Sequence, residues 1–426
     1  MYEKIKIKTE IPGGKSYKIL QNLMRKNGGW WVPHPLILSG NGKNSYCEDI
    51  DGNVFLDFAS QVASNPLGYN HPDLIQIVKK YQRFPVKYAG QDFSIREHLD
   101  LIENLIKISP GMNQAFLSNS GTEAVENSIK IAMRDRNKKK FTISFEGAFH
   151  GRTLGALSLH HSNPIHRKGY LLEPNKKIPF NDEAGEKFQE IIDKEGAEAV
   201  GLVILEHIQG EGGYNFASKK MIKDVFNIAR KNKIPYVADE VQSGLGRTGK
   251  WWSFENYGIR PDVFSSAKAL QVGATIATEK IFPKEQGAIS STWGGGHALD
   301  LALGIRTIEI IKRDKLLLKN KKNGDYILKR LEEIGFDNVR GKGLMSAFDI
   351  EENKQTAFII ECAKSGLLIL GAGERSIRII PPYIINKDSI EEGLIVIERV
   401  KKKMAGEKFK LSGKICKFIG CGVNAS

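Results

Sequence analysis

Short apolar segments alternate with longer amphipathic segments from about residue 95 to residue 264, and this alternation constrains the fold more than any other feature. Strands that alternate with helices form a mostly parallel sheet with both faces covered. In such sheets, ligands bind beyond the carboxyl ends of the strands. The sequence therefore predicts an α/β domain whose functional residues follow its strands. The predicted strands are 115–117, 141–145, 199–205, 235–238 and 263–264, and the predicted helices are 99–108, 123–133 and 219–231.

The pattern changes near residue 316, where a Lys-rich helical segment begins. Beyond it, strands and helices predict a small α+β domain. Near the start of the chain, residues 46–58 predict a β-hairpin about the turn Asp51-Gly52-Asn53. In the C-terminal part, strands are predicted at 346–350, 367–370 and 377–380, and helices at 357–364 and 390–402. The predicted divisions are an N-terminal segment at 1–70, a large domain at 71–315, a small domain at 316–405 and a tail at 406–426.

The composition excludes few classes of protein, but it argues against nucleic-acid and membrane partners. The chain carries 63 basic and 49 acidic residues, a formal net charge of +14. The lysines lie in short dispersed runs, so we expect a solvated surface rather than a nucleic-acid partner. No apolar segment approaches the ~18–20 residues that cross a bilayer, and no signal peptide is evident, so we expect a cytosolic protein without a membrane partner. The four cysteines predict neither a disulfide framework nor a metal site.

A carboxylate and a lysine follow two of the predicted buried strands. Asp239 comes directly after the strand at 235–238, and Lys268 follows the strand at 263–264. An acidic residue at a strand end can simply face solvent. However, pyridoxal-5′-phosphate (PLP) chemistry needs such a pair, because the lysine amine binds the cofactor covalently and the carboxylate keeps the pyridine nitrogen protonated. The pair therefore makes Asp239 and Lys268 candidates for a PLP site.

Ser118 to Glu123 follow a predicted strand and open a helix, which is an arrangement that can bind phosphate. The alternative interpretation is a capping box formed by Ser120 and Glu123, and a capped helix start can also bind an anion. Phe149, after the strand at 141–145, can stack on a flat ring or serve as a core anchor. The acidic, Gly-rich segment 206–213 is either a further part of the site or a polar loop.

Taken together and in this order, the motifs resemble those of the class III (subgroup II) aminotransferases, which are fold-type I PLP enzymes. The resemblance covers roughly residues 30–400. It implies a large domain with a mostly parallel sheet and a small domain to which the N-terminal segment contributes. The motifs that carry it are Ser120 to Ala124, Phe149 to Thr153, the segment 206–213, Asp239 to Gly249, and Lys268.

The resemblance implies a role for each motif. Lys268 would bind PLP covalently and then act as the general acid–base, and Asp239 would pair with the pyridine nitrogen. Val241 and Phe149 would enclose the ring, and Gln242 would bind its phenolic oxygen. Thr292 would complete the phosphate site of the neighbouring subunit, which implies a homodimer with shared active sites. The implied cofactor-binding set is Ser120, Gly121, Thr122, Phe149, His150, Glu206, Asp239, Val241, Gln242, Lys268 and Thr292, with no metal.

Two arginines suggest how the substrates are recognised. Arg152 resembles the arginine that binds a substrate carboxylate as a bidentate fork. Arg378 resembles a second arginine that Glu211 masks while a terminal amine is bound, and that holds the α-carboxylate of 2-oxoglutarate afterwards. An alternative is that Arg378 forms a structural ion pair unrelated to substrate. The resemblance therefore favours ω-amino donors with 2-oxoglutarate as the acceptor.

The donor and the reaction have alternatives. The favoured donor is 4-aminobutyrate or a similar short ω-amino acid. Lysine 6-aminotransferases and ornithine or acetylornithine aminotransferases are the nearest alternatives, because Lys268 to Val272 resemble the lysine branch. A PLP-dependent racemase or aminomutase would need the same lysine and carboxylate but not the Arg378–Glu211 pair. A basic binding protein without catalysis is a further alternative, suggested by the net charge alone.

Overall fold

The computed structural model describes residues 2–27, 34–82, 93–290, 295–406 and 409–419. The chain forms two compact units: a large unit, Asp73–Asn320, and a small unit, Met1–Pro72 with Lys321–Ser426. Among the described residues, no helix is long and apolar enough to cross a membrane. Cys47 and Cys362 are buried free thiols. Cys416 is disulfide-bonded, which the cysteine spacing did not predict.

The elements are numbered in chain order. The strands are β1 Leu38–Lys43, β2 Tyr46–Asp49, β3 Val54–Asp57, β4 Gln114–Ser118, β5 Phe141–Phe145, β6 Asn175–Ile178, β7 Val200–Leu205, β8 Tyr236–Asp239, β9 Val263–Ser266, β10 Gly273–Ala277, β11 Asp337–Lys342, β12 Met345–Asp349, β13 Leu367–Leu368, β14 Leu370–Ala372 and β15 Ser376–Ile379. The helices are α1 Gly14–Lys26, α2 Ser60–Ala63, α3 Pro72–Tyr81, α4 Arg96–Lys107, α5 Gly121–Met133, α6 Leu154–Ser158, α7 Ala184–Glu195, α8 Lys219–Lys231, α9 Ala298–Arg313, α10 Leu316–Ile334, α11 Gln355–Lys364, α12 Lys387–Met404 and α13 Cys416–Ile419.

The sheet of the large unit has, within the described part of the chain, the strand order β4-β10-β9-β8-β7-β5-β6. The strands from β9 to β6 run parallel. Strand β10 pairs antiparallel with both β9 and β4. The predicted mostly parallel sheet is therefore confirmed. The carboxyl ends of β9, β8, β7 and β5 consequently meet at one edge of the sheet, where ligands of such folds bind.

Strand β7 shows why this sheet is covered on both faces. Its side chains alternate in direction, as those of any strand do. Val203 and Leu205 pack in a buried cluster with side chains of α7 and α8. Leu202 and Ile204 pack in another cluster, with side chains of α5 and α6. Because both sets of side chains are apolar, β7 is a continuous apolar run, which is typical of a central parallel strand.

The small unit combines segments from both ends of the chain. One of its sheets has the order β1-β2-β3-β13, in which β13 pairs parallel with β3. The other has the order β11-β12-β15-β14. Phe55, Cys47 and Leu368 form part of a buried cluster beside the first sheet. The predicted strand at 367–370 is wrong as a single element, because its two halves join different sheets on either side of Ile369.

The segment α2 is a left-handed turn, since all four of its residues have φ between +44° and +67°. Such a conformation costs roughly 1–2 kcal/mol per L-residue. The buried Asp57 carboxylate holds the turn by accepting hydrogen bonds from the backbone N–H groups of Ala59, at 2.7 Å, and Ser60, at 2.9 Å. This turn could not be predicted from the sequence, because glycine, which favours a positive φ, is absent from it.

Gly393 in α12 offers a test of the packing in the small unit. A Cβ added there would lie 2.2 Å from the ring of Phe58, which is fully buried. We expect Gly393→Ala to lower the free energy of unfolding by about 1–3 kcal/mol, because the ring cannot move without disturbing the core. Gly14→Ala is the matched control, since no atom lies within 4 Å of its added Cβ. Denaturant unfolding of both variants measures the effect. If Gly393→Ala were as stable as Gly14→Ala, the close contact between residue 393 and Phe58 would be contradicted.

Candidate active site

The carboxylate of Asp239 lies at the carboxyl end of β8 and is only 5% exposed. Its Oδ2 accepts a hydrogen bond from Nδ1 of His150 at 2.8 Å. Its Oδ1 accepts from the backbone N–H of Val241 at 3.0 Å and from the hydroxyl of Ser265 at 3.3 Å. A carboxylate oxygen can accept two hydrogen bonds, so Oδ2 can take a further donor beside His150. The surroundings therefore suit an ionised carboxylate that faces one more N–H group.

Lys268 reaches the same edge of the sheet from the neighbouring strand. Strands β8 and β9 pair in parallel register with Asp239 opposite Ser265, and Lys268 follows three residues later. Lys268 opens a 3₁₀ turn with φ at +49° and is half-buried. A positive φ is uncommon for a residue with a side chain, and such strain is often found at functional sites. The register thus delivers both predicted catalytic residues to adjacent strand ends.

Glu206, directly after β7, ties two loops of the site together. Its Oε1 accepts from the N–H of Phe149 at 3.0 Å, and its Oε2 accepts from the N–H of Gly210 at 2.8 Å. Burial raises the pKa of Glu206 to about 7, with His150 lowering it and Asp239 raising it further. Glu206 therefore holds the loops after β5 and β7 at fixed positions beside Asp239.

The predicted phosphate loop is also a capping box. The hydroxyl of Ser120 accepts from the N–H of Glu123, and the Glu123 carboxylate accepts from the N–H of Ser120 at 3.0 Å. The N–H groups of Gly121 and Thr122 stand at the start of α5, where a helix provides them with no carbonyl partner. A Cβ on Gly121 would lie 2.9 Å from Cγ1 of Val241, so only glycine fits there. These features leave a narrow, anion-attracting cradle.

The residues predicted to contact the ring lie around this cradle. Val241 and Phe149 are half-buried, and Gln242 accepts a hydrogen bond from the hydroxyl of Tyr214 at 2.7 Å. The hydroxyl of Thr122 lies 2.8 Å from that of Thr153. Tyr214 lies just beyond the segment 206–213 and was not singled out from the sequence, whereas Thr153 was included only as the last residue of the motif Phe149 to Thr153. The sequence does not reveal the tertiary contacts of either residue.

The substrate-binding candidates are divided between the two units. In the large unit, Nη2 of Arg152 lies 3.9 Å from Oε1 of Glu211, and the Arg152 side chain is 62% exposed. The guanidinium carbon lies 5.7 Å from the centre of the Phe149 ring. Arg378 belongs to the small unit, where it is buried on β15, and its pairing with Glu211 stays a prediction. Thr292 lies outside the described residues.

A lysine and a carboxylate at adjacent strand ends, beside a phosphate cradle, define a PLP-type enzyme site. The model of the family described as aminotransferase class-III matches residues 30–400. The acetylornithine aminotransferase of Archaeoglobus fulgidus is 34% identical over 362 residues, covering 84% of this chain and 93% of the relative. The chain therefore belongs to the class III aminotransferases, and it is a PLP-dependent aminotransferase, as predicted.

Two further comparisons extend the similarity, one in sequence and one in fold. A protein of Pyrococcus furiosus named putative [LysW]-aminoadipate semialdehyde/glutamate semialdehyde transaminase is 35% identical, covering 86% of this chain and 96% of the relative. The solved structure of lysine aminotransferase from M. tuberculosis is similar with a TM-score of 0.83 at 23% identity, covering 92% of this chain and 99% of that one. At this identity the likeness shows the fold alone, and it confirms the fold-type I architecture.

The side chains present fit PLP. Asp239 has an acceptor position for a pyridinium N–H, and the capped start of α5 offers N–H groups to a phosphate. The slot between Gly121 and Val241 is too narrow for a side chain at residue 121. Lys268 stands three residues beyond the partner of Asp239. The residues that would hold the cofactor in this chain are therefore Lys268, Asp239, Gly121, Thr122 and Val241.

The raised pKa of Glu206 makes stability depend on pH. A carboxyl group whose folded pKa is about 7, against an unfolded value of 4.5, holds its proton more tightly in the folded state. Folding stability should therefore fall as pH rises from about 4.5 to 7, by at most ~3 kcal/mol from this group. Glu206→Gln should make the slope shallower by this amount, while Glu240, whose pKa burial also raises to about 7, keeps its own contribution. Denaturant unfolding at pH 5 and pH 8 measures the difference. The same slope in both proteins would contradict the assignment.

Proposed function

We propose that this enzyme transfers the terminal amino group of acetylornithine, or of a similar α-N-substituted ω-amino acid, to 2-oxoglutarate. The observation that carries the proposal is the 34% identity with the acetylornithine aminotransferase of Archaeoglobus fulgidus over 84% of the chain. These relatives favour the acetylornithine alternative of the sequence analysis over 4-aminobutyrate. The racemase and non-catalytic alternatives have no support among them.

The charges of the large unit support a carboxylate-bearing donor. Arg152 is an exposed cation beside Phe149, which is proposed to stack on the cofactor. Its guanidinium can form the bidentate fork that recognises a carboxylate. The Glu211 carboxylate lies 3.9 Å from this guanidinium. A donor with a carboxylate at one end and an amine at the other would therefore be oriented with its amine toward Lys268.

The proposed mechanism assigns each remaining step to a residue of this chain. When bound, PLP supplies the electron-accepting ring through which an amino group is exchanged between donor and acceptor. Asp239 holds the proton on the ring nitrogen, and His150 keeps the Asp239 carboxylate in position. Lys268 would be the general acid–base, which takes a proton from the amine-bearing carbon of the donor and returns it two atoms away, across the amine nitrogen. The two substrates follow each other in one site, which predicts ping-pong kinetics.

We also propose that the active enzyme is a homodimer that shares its sites and lies in the cytosol. The resemblance of Thr292 to the phosphate-binding residue of a neighbouring subunit supports the dimer. Sedimentation of the purified protein tests this part of the proposal. A monomer with full activity would contradict it.

A panel of donors tests the reaction. With PLP and 2-oxoglutarate, we expect acetylornithine to give glutamate with a kcat/KM at least about tenfold above those of 4-aminobutyrate, lysine and ornithine, a difference of roughly 1.4 kcal/mol. Lys268→Ala is the control, and it should lose both turnover and the covalent attachment of PLP detected by mass spectrometry after borohydride reduction. A better rate with 4-aminobutyrate would overturn the donor, and inversion of an amino acid without a keto acid would overturn the reaction.

The two arginines should affect different halves of the reaction. We expect Arg378→Gln to slow the 2-oxoglutarate half-reaction by about 10²-fold and the donor half-reaction much less, because loss of a buried charged hydrogen bond costs roughly 1.5–3 kcal/mol. Arg152→Gln should slow the half-reaction with acetylornithine. Single-turnover absorbance measurements separate the halves, and thermal unfolding excludes a folding defect. Equal damage to both halves by Arg378→Gln would contradict its proposed role.

A further inference from the structure

A cluster of imidazoles lies beside Arg152 in the large unit. Nε2 of His166 is 3.3 Å from Nη2 of Arg152. Nδ1 of His166 is 3.0 Å from Nε2 of His160 and 4.0 Å from Oε1 of Glu211. The ring of His160 packs edge-on against that of Phe149, with the centres 4.9 Å apart. Arg152 is thus joined through His166 to a buried anchor beneath the proposed cofactor-stacking ring.

The direction of each hydrogen bond follows from its donors. A guanidinium can only donate, so Nε2 of His166 must accept from Arg152 through its lone pair. The proton of the neutral His166 ring is then on Nδ1, which donates to Nε2 of His160. The Ser162 hydroxyl lies 3.1 Å from the same atom of His160. This pattern of contacts fits a neutral His166 in its Nδ1–H form.

The innermost side chain of this cluster, that of His160, is buried and uncharged. His160 is fully buried. Burial lowers its pKa to about 3, and the neighbouring His166, His150, Arg152 and His161 lower it as well. His160 is consequently neutral near pH 7. His160 can therefore accept a hydrogen bond from Nδ1–H of His166. As a neutral ring, it does not attract a negatively charged group away from Arg152.

We propose that neutral His166 is a positioning residue that holds the guanidinium of Arg152 beside Phe149, ready for the carboxylate of the donor substrate. This inference rests on the proposed function of Arg152. A protonated His166 would carry a hydrogen on Nε2, facing the guanidinium, so the hydrogen bond would be lost and two cations would repel each other. Its Nδ1–H could then turn toward Glu211 instead. His166 therefore makes carboxylate recognition dependent on pH.

The charges that face His166 set the direction of this dependence. Burial lowers the pKa of His166, and Arg152 lowers it further, while Glu211 opposes them by raising it. His160, the third group in contact, is neutral. Since the ordinary value is 6.5, the ring is neutral at pH 7. The hydrogen bond between His166 and Arg152 is therefore present at neutral pH and is lost as the pH falls through the lowered pKa of His166.

Substitution of His166 in the PLP-loaded protein tests the positioning. We expect His166→Leu to raise the KM of the best donor roughly tenfold at pH 7.5, with kcat changed less than about twofold, because a hydrogen bond to a charged group is lost. The KM of pentylamine, which has no carboxylate, should not change. His166→Gln places an amide oxygen near the position of Nε2, and it should restore the KM and remove its rise at low pH, because an amide does not titrate.

His161→Asn is the matched control, because His161 holds Arg167, rather than Arg152, at 2.9 Å. It should leave the KM of both amines unchanged. Equal increases for the carboxylate-bearing and carboxylate-free amines in His166→Leu would overturn the positioning role. If acetylornithine is not the donor, the same comparison with whichever panel member is used still decides the role of His166. The two proposals can therefore fail separately.

A measurement on the protein without substrate is independent of turnover. Nitrogen-15 NMR of the imidazoles should show His166 as the neutral Nδ1–H form, titrating below 6.5. Arg152→Gln should raise that pKa, because the neighbouring positive charge is removed. An Nε2–H form of His166, or a pKa that Arg152→Gln leaves unchanged, would overturn the proposal even if the His166 variants fail to fold.

Discussion

The parallel pairing of β8 with β9 is the constraint on which the site depends. It places Asp239 opposite Ser265, so that Lys268 emerges three residues later at the same edge of the sheet. The next strands, β7 and β5, bring Glu206 and His150 to this edge. A shift of one residue in this register would turn the Asp239 side chain to the opposite face of the sheet. The alternating apolar side chains that fill both faces therefore also fix the geometry of the chemistry.

The polar groups at this edge are arranged for chemistry more than for stability. Asp239 and Glu206 are both buried, and burial of carboxylates is costly unless donors surround them. Backbone N–H groups, an imidazole and a hydroxyl supply those donors. An apolar replacement of the whole group would pack as well without this cost. A function at the carboxyl ends of the parallel strands explains why these polar groups are buried there.

Elements with a strong apolar pattern could be predicted from the sequence. Helix α8 has the predicted bounds, as does β5, because their hydrophobic periodicity is uninterrupted. The strand β6 was missed, since it lies at the sheet edge and contains two lysines. The strand β10 was missed as well, because three of its five residues are Gly or Ala, which carry little strand signal. In both cases the sheet, rather than local preference, decides the conformation.

The two ends of the site differ physically, and this explains why the cofactor class could be predicted but the donor could not. The cofactor end consists of buried residues at strand ends, such as Asp239, whose neighbours in sequence form recognisable motifs. The proposed substrate end includes the loop that carries Arg152, which is 62% exposed and lies 3.3 Å from His166 and 3.9 Å from Glu211. Such contacts join segments that are distant in sequence, so single motifs do not reveal them. An enzyme that accepts two substrates in turn needs this adaptable end, and donor preference can change there while the cofactor end stays the same.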